Sequence, residues 1–157
     1  EIALRLGESL PLSGAPYTPK RVATAVEAAA PSIEIVTSPF PVWNQAGIGC
    51  IIGDNGGNAA WVHGDFDTDF GRLDLADLAT NLTVNGVVER EGMGRDVDGG
   101  PMIVLAWLAN FLISMGGELK AGDLVTTGST TQPLLGAAGQ TGIADFGPLG
   151  ECRLVIE

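Results

Sequence analysis

A chain of 157 residues with 45% hydrophobic content is long enough to bury one core. Nineteen Asp and Glu against eight Lys and Arg give a net charge of −11 and a pI near 4.3. That balance excludes a reader of nucleic-acid phosphates and disfavours anionic membrane surfaces; its simple consequence is solubility.

The chain opens on an alternating stretch. Ile2, Leu4 and Leu6 share one face, while Glu1, Ala3 and Arg5 share the other, as in a half-buried strand. A start inside a strand is expected of a chain that lacks a segment upstream. Residues 7–17 read as a loop with Pro11, Gly14 and Pro16. Thr18-Pro19 then reads as a helix N-cap and first position. Val22, Ala25, Val26 and Ala29 mark the inward face of that helix, and Pro31 stops it. Pro31-Ser32-Ile33-Glu34-Ile35-Val36 reads as a short buried strand around one carboxylate. A carboxylate in such a strand requires a cation.

Residues 38–47 form a loop holding Trp43, and residues 49–53 an apolar strand ending in Asp54-Asn55-Gly56-Gly57-Asn58. Residues 59–63 give another short strand, and residues 65–72 an acidic connection. Asn85-Gly86 between residues 81–84 and 87–91 is a hairpin signal. Gly100-Pro101 opens a helix running to about Met115, capped by Gly116-Gly117 and expected to be buried on most sides. Its apolar run is too short to span a bilayer. Strands over residues 124–127, 141–146 and 152–156 close a single domain over residues 1–157. The expected class is α+β: a curled, mostly antiparallel mixed β-sheet, roll-like, packed on two main helices.

Several motifs fail on inspection. Asp65-Phe66-Asp67-Thr68-Asp69 begins like a calcium loop, but Phe70 stands where Gly is needed and Ala76 where Glu is needed, so a solvated acidic turn is the better reading. His63, the single histidine, has no triad or metal-cluster helpers and reads as a half-buried strand residue. The glycine pairs at Gly47 and Gly92 lack dinucleotide spacing. Asn81-Leu82-Thr83 matches a glycosylation acceptor by letter alone. Cys50 and Cys152 form no CxxC pair, which fits a reducing cytosol. Glu1 and Glu34 remain. On neighbouring strands they would suit Mg²⁺ or Mn²⁺; equally, Glu34 could pair with Arg5 or Arg21.

Five stretches in order carry a resemblance. They are residues 1–7, residues 31–36, Gly53-Asp54-Asn55, Gly100-Pro101 leading to residues 105–110 (Leu-Ala-Trp-Leu-Ala-Asn), and residues 119–128 ending in Thr127-Gly128. Together they resemble the C-terminal catalytic part of the fumarylacetoacetate hydrolase superfamily. The branch they most resemble is that of the 2-keto-4-pentenoate hydratases and 4-oxalocrotonate decarboxylases. The resemblance implies one Mg²⁺ or Mn²⁺ held by a Glu-x-Glu pair and a later Glu. Glu1 matches the second Glu of the pair, Glu34 the later one, and Thr127 the residue that binds the substrate carboxylate. The first Glu of the pair and the family's acid/base groups, a lysine among them, fall upstream of Glu1, so no catalytic residue is assigned within the chain. Neither Lys20 nor Lys120 is assigned in the lysine's place. Residues 129–139 are longer and looser than the family's compact turn, so the far end of the substrate is read differently.

The implied substrate is a small 2-oxo acid that chelates the metal through carboxylate and keto oxygens, and the implied reaction is addition of water to a 2-oxo-4-enoate. The alternatives are a 4-oxalocrotonate-type decarboxylase, an acylpyruvate C–C hydrolase, or a non-catalytic domain with an incomplete site. A cytoplasmic homo-oligomer is expected, with neither nucleic acid nor membrane as partner.

Overall fold

A computed structural model describes residues 1–40, 42 and 45–157; Trp43, expected in a loop, falls outside the described residues. Strand β1 (Ile2–Leu6) is central to the first sheet because both its faces are covered: Ile2, Ala3, Leu4 and Leu6 are all fully buried. It pairs with β2 (Val26–Val36) on one side and β6 (Leu124–Thr126) on the other, and β2 carries β3 (Asn58–His63) at its far edge. A second sheet has the order β5-β4-β7-β8, built from β4 (Ala79–Val84), β5 (Val87–Met93), β7 (Thr141–Asp145) and β8 (Glu151–Val155). Every pairing between these strands is antiparallel. β8 packs on β2 and β3, so the sheets curl around one core that includes Ile2, Leu4, Leu6, Leu105 and Phe146. The expected α+β class and curled antiparallel architecture are therefore observed.

The hairpin is where Asn85-Gly86 places it. Both residues have positive φ, 50° and 83°, and join β4 to β5. Helix α3 (Pro101–Ser114) also starts at its proline, and the Gly117 amide closes its end on the Leu112 carbonyl at 2.8 Å. At 14 residues it is about 21 Å long, and Gly99 and Gly100, at φ 89° and 134°, break it from the preceding 3-10 turn.

Three expectations are corrected. The helix after Thr18 is only one turn, α1 (Pro19–Ala23), although Thr18 caps it as expected. From Val26 the chain enters β2, an 11-residue strand in which Pro31 sits mid-strand opposite Ile2. The helical spacing of Val22, Ala25, Val26 and Ala29 was overridden because β1 needed a partner. Ala28, Ala29 and Ala30, fully buried, fit where the sheet is covered on both faces. Second, residues 49–53 belong to a helix, α2 (Ile48–Gly53), with Ile48 and Ile52 exposed. The β2 edge that a strand there could have joined is filled by β3. Third, α3 is not buried on most sides. Pro101, Leu105, Ala106 and Ala109 face the core, while Ile103, Trp107, Phe111 and Met115 form an exposed stripe in which Trp107 and Phe111 stack at 5.2 Å.

Candidate functional site

The site is built from the register of three strands. The Glu1 nitrogen donates to the Ser32 carbonyl at 3.0 Å, and the Ser32 amide returns a bond to the Glu1 carbonyl at 2.9 Å. Directly opposed residues of an antiparallel pair project to the same face, and residues two apart on one strand do so too. Glu1, Ser32 and Glu34 therefore share a face. β3 extends it, because His63 lies opposite Ser32 and Trp61 opposite Glu34. Ser32 is itself fully buried and donates its hydroxyl to the Glu1 carbonyl at 3.1 Å, which fixes the row.

The electrostatics of this face are unbalanced. Burial pushes the Glu1 carboxyl above the usual carboxylate range, and the nearby Glu34 carboxylate pushes the same way. Its own amino group, the Thr126 hydroxyl and the Gly128 amide pull in the opposite direction. Glu34 is half-buried, not buried, and accepts one hydrogen bond from the Asn58 side-chain amide at 2.7 Å. The anticipated ion pair from Glu34 to Arg5 or Arg21 does not form: Arg5 pairs with Glu27, and Arg21 lies 3.7 Å from Glu8. Among the described residues, two buried side-chain polar atoms lack any hydrogen-bond partner, Glu1 Oε2 and Trp61 Nε1. Buried polar atoms are normally paired, and these two exceptions stand on one face of one sheet.

That donor set suits a hard cation. Carboxylate oxygens without a basic partner are the ligands that Mg²⁺ and Mn²⁺ take. Among the described residues, no group of three or more His, Cys, Asp and Glu comes together, so the fit rests on the Glu1 and Glu34 pair.

Thr127 sits at the end of β6 next to this face, 2% exposed, with its hydroxyl donating to the Ile2 carbonyl at 2.8 Å. It lies on the opposite side of β6 from Thr126, which pairs with Ala3. Thr127, Gly128 and Ser129 line one wall of a cavity of about 460 Å³; Val97, Ile103 and Trp107 line another. Gly128 has φ 108°, and a Cβ there would come within 3.1 Å of Val97.

His63 is exposed rather than half-buried. Its ring lies 4.9 Å from Trp61 and 5.0 Å from Phe66, and the Arg5 guanidinium covers Phe66 at 4.9 Å. The acidic turn behaves as a surface feature. Asp67 accepts from Arg72 at 2.7 Å and from the Asp69 amide at 2.8 Å. Sequence reasoning missed Trp61, Thr126 and Asn58. Asn58 had a signal, since a polar residue opening a strand beside an acidic one is a natural donor; Trp61 and Thr126 had none before the register was known.

No family model matches the chain. A curated relative, the 2-hydroxyhexa-2,4-dienoate hydratase of Comamonas testosteroni, is 34% identical over 154 residues, 98% of this chain and 57% of the relative. A 4-oxalocrotonate decarboxylase of Pseudomonas putida is 28% identical over 129 residues, 82% of this chain and 48% of the relative. The solved 4-oxalocrotonate decarboxylase from Pseudomonas putida G7, complexed with magnesium and adipate, superposes with a TM-score of 0.90 at 24% identity, covering 100% of this chain and 59% of that one. The chain belongs to the fumarylacetoacetate hydrolase superfamily. Within that superfamily it falls in the keto-pentenoate hydratase and oxalocrotonate decarboxylase branch. It spans about half the length of the curated superfamily members it matches.

Proposed function

We propose that this chain is the carboxylate-bearing part of an enzyme that acts on a small 2-oxo-4-enoate, by addition of water or by loss of CO₂. The observation that carries the reading is the buried Glu1 Oε2 on the same face as Glu34, with no hydrogen-bond partner for that atom and no basic side chain paired to either carboxylate among the described residues. The sequence resemblance by itself favours water addition. The likeness to decarboxylases in both sequence and structure brings the decarboxylase alternative forward of a hydratase-only reading.

In this reading Glu1 and Glu34 hold Mg²⁺ or Mn²⁺, and Thr127 binds the substrate carboxylate. A bound divalent ion supplies Lewis-acid stabilisation of the negative charge that develops on the oxygens of a 2-oxo acid. The chain's own residues do the positioning. Ser32 fixes the Glu1 backbone, and Asn58 holds one Glu34 oxygen. Thr127 has to release the Ile2 carbonyl before its hydroxyl can donate to a carboxylate. A cytosolic location and a homo-oligomeric state belong to the same proposal; the exposed α3 stripe is compatible with subunit contacts.

The test is calorimetry with Mn²⁺ in the presence of oxalate, on the wild type and on Glu34→Ala. The wild type should bind. Glu34→Ala should lose at least about 10²-fold in affinity, as expected when a liganding carboxylate goes, while its far-UV circular dichroism stays unchanged. Normal binding by Glu34→Ala would refute the ligand assignment. A wild type that binds neither Mn²⁺ nor oxalate would leave the non-catalytic domain as the better reading.

A further inference from the structure

We propose that the exposed side of α3 is the surface on which a second copy of this chain docks, antiparallel and about a two-fold axis, and that the copy helps to wall the cavity beside Thr127. The inference rests on the homo-oligomeric state proposed above and gives that state its face. Ile103, Trp107 and Phe111 recur every four residues along α3, and Met115 follows at its end. Residues four apart form one ridge on a helix surface. Trp107 and Phe111 stack 7° from parallel, so the middle of the ridge is one rigid aromatic pair. The four side chains are 46%, 62%, 47% and 73% exposed. At about 200 Å² for a large apolar side chain, they leave on the order of 450 Å² open per copy, or about 900 Å² for a pair. The half-buried Val104 and Leu108 flank the ridge. With them the area reaches the roughly 1,000–1,200 Å² at which specific, reversible pairs begin.

Charge and symmetry select a second copy as the occupant. At a net charge of −11, two copies repel over most of their surfaces. Helix α3 carries no Asp, Glu, Lys or Arg, so along this face they approach without opposed like charges. A two-fold axis at the level of Ala109 sets Trp107 against the partner's Phe111 and Ile103 against the partner's Met115, so each ridge meets the same ridge reversed. The same axis sets the exposed Asp98 towards the partner's Lys120, since the two lie equally far from Ala109 along the chain. Opposite charges then stand at both rims of the apolar contact. Among the described residues Lys120 makes no ion pair that would compete. Ile103 and Trp107 also form one edge of the cavity that Thr127, Gly128 and Ser129 line on another. The partner's Phe111 and the partner's Met115 therefore come to rest over that edge, and each cavity is walled by both copies.

Sedimentation equilibrium of the wild type should show a dimer that forms reversibly over the micromolar range, as suits an interface at the low end of the size range. Phe111→Glu removes a central aromatic and sets a carboxylate into the apolar contact, outside the cavity. It should weaken the dimer by at least about 10²-fold with unchanged far-UV circular dichroism. Met115→Glu is the second variant: at the exposed end of the helix, it brings a carboxylate beside the partner's Asp98 and should weaken the dimer by at least about 10-fold. Cross-linking reads the register. In a Cys50→Ser background, a chain carrying both Ile103→Cys and Met115→Cys should be joined into covalent dimers by a short bis-maleimide, and a chain carrying Ile103→Cys alone should not. A wild type that stays monomeric up to about 100 µM overturns the inference and leaves α3 to a different occupant, such as the part of the curated relatives that this chain does not span. A dimer that neither glutamate variant weakens overturns it as well, and so does a dimer that the introduced cysteines fail to cross-link. A wild type that dimerises through α3 but binds neither Mn²⁺ nor oxalate supports this inference and overturns the catalytic reading alone.

Discussion

Asn110→Leu tests how α3 is fastened to the rest of the fold. The Asn110 side chain accepts from the Tyr17 amide at 2.8 Å, donates to the Tyr17 carbonyl at 2.8 Å, and donates to the Ala106 carbonyl at 2.9 Å. Tyr17 is 4% exposed and immediately precedes the Thr18 cap, so this one amide ties the start of α1 to the middle of α3. Leucine shares the branching of asparagine but is larger and has none of its polarity. The substitution strands the Tyr17 N–H and C=O away from water, at about 1–3 kcal/mol each. The Ala106 carbonyl is less affected because it keeps its place in the helix ladder. Leucine regains a few tenths of a kcal/mol through helix propensity. The net expectation is a loss of about 2–5 kcal/mol from a total that is typically about 5–15 kcal/mol. Urea unfolding followed by circular dichroism reads this as a lower midpoint at unchanged slope. Asn110→Asp is the companion variant. It keeps the acceptor but sets a carboxylate oxygen against two carbonyls, so it should be less destabilised near pH 4 than at pH 7. A loss below about 1 kcal/mol for Asn110→Leu would show that water or a shifted loop satisfies Tyr17, and that the amide is not what fastens the helix.

The two cysteines should react very differently with a thiol reagent. Cys50 is exposed on α2 and should label at once, whereas Cys152 is buried, its thiol pushed up by that burial, and should label only as the chain unfolds. Equal rates would refute the packing of β8 against β3. For Asp67, the Arg72 hydrogen bond, helped by the Asp69 amide, holds the carboxyl below its ordinary range. A depressed folded value means that the carboxylate's contribution is fully present above the unfolded pKa of about 3.9 and is lost as pH falls below it. The melting-temperature gap between wild type and Asp67→Asn should therefore be constant above about pH 5 and close as the solution becomes more acidic. A gap that widens in acid would contradict the assigned pairing.

Local chemistry determined much of this protein by itself. Asn85-Gly86 could only be a tight turn, because both positions need positive φ and those residue types supply it most cheaply. Pro101 and Gly116-Gly117 bounded α3 because a proline starts a helix and a glycine ends it without strain. The alternation of residues 1–6 placed Glu1 and Arg5 on one face before any partner strand was known. Tertiary structure decided what depends on a partner. Residues 24–30 carry a helical pattern, yet they form strand because β1 offers an unpaired edge and small alanines can be covered on both faces. The α3 sequence is apolar all round, and periodicity could not tell which side would be left uncovered. The candidate site is the clearest case. The sequence contains Glu1, Ser32, Glu34, Trp61 and His63 at separations that mean nothing along the chain. Antiparallel register, in which directly opposed residues share a face, brings them together. The same register leaves Glu1 Oε2 and Trp61 Nε1 buried without partners among the described residues, because hydrogen bonds between distant side chains are set by the folded geometry and not by local sequence.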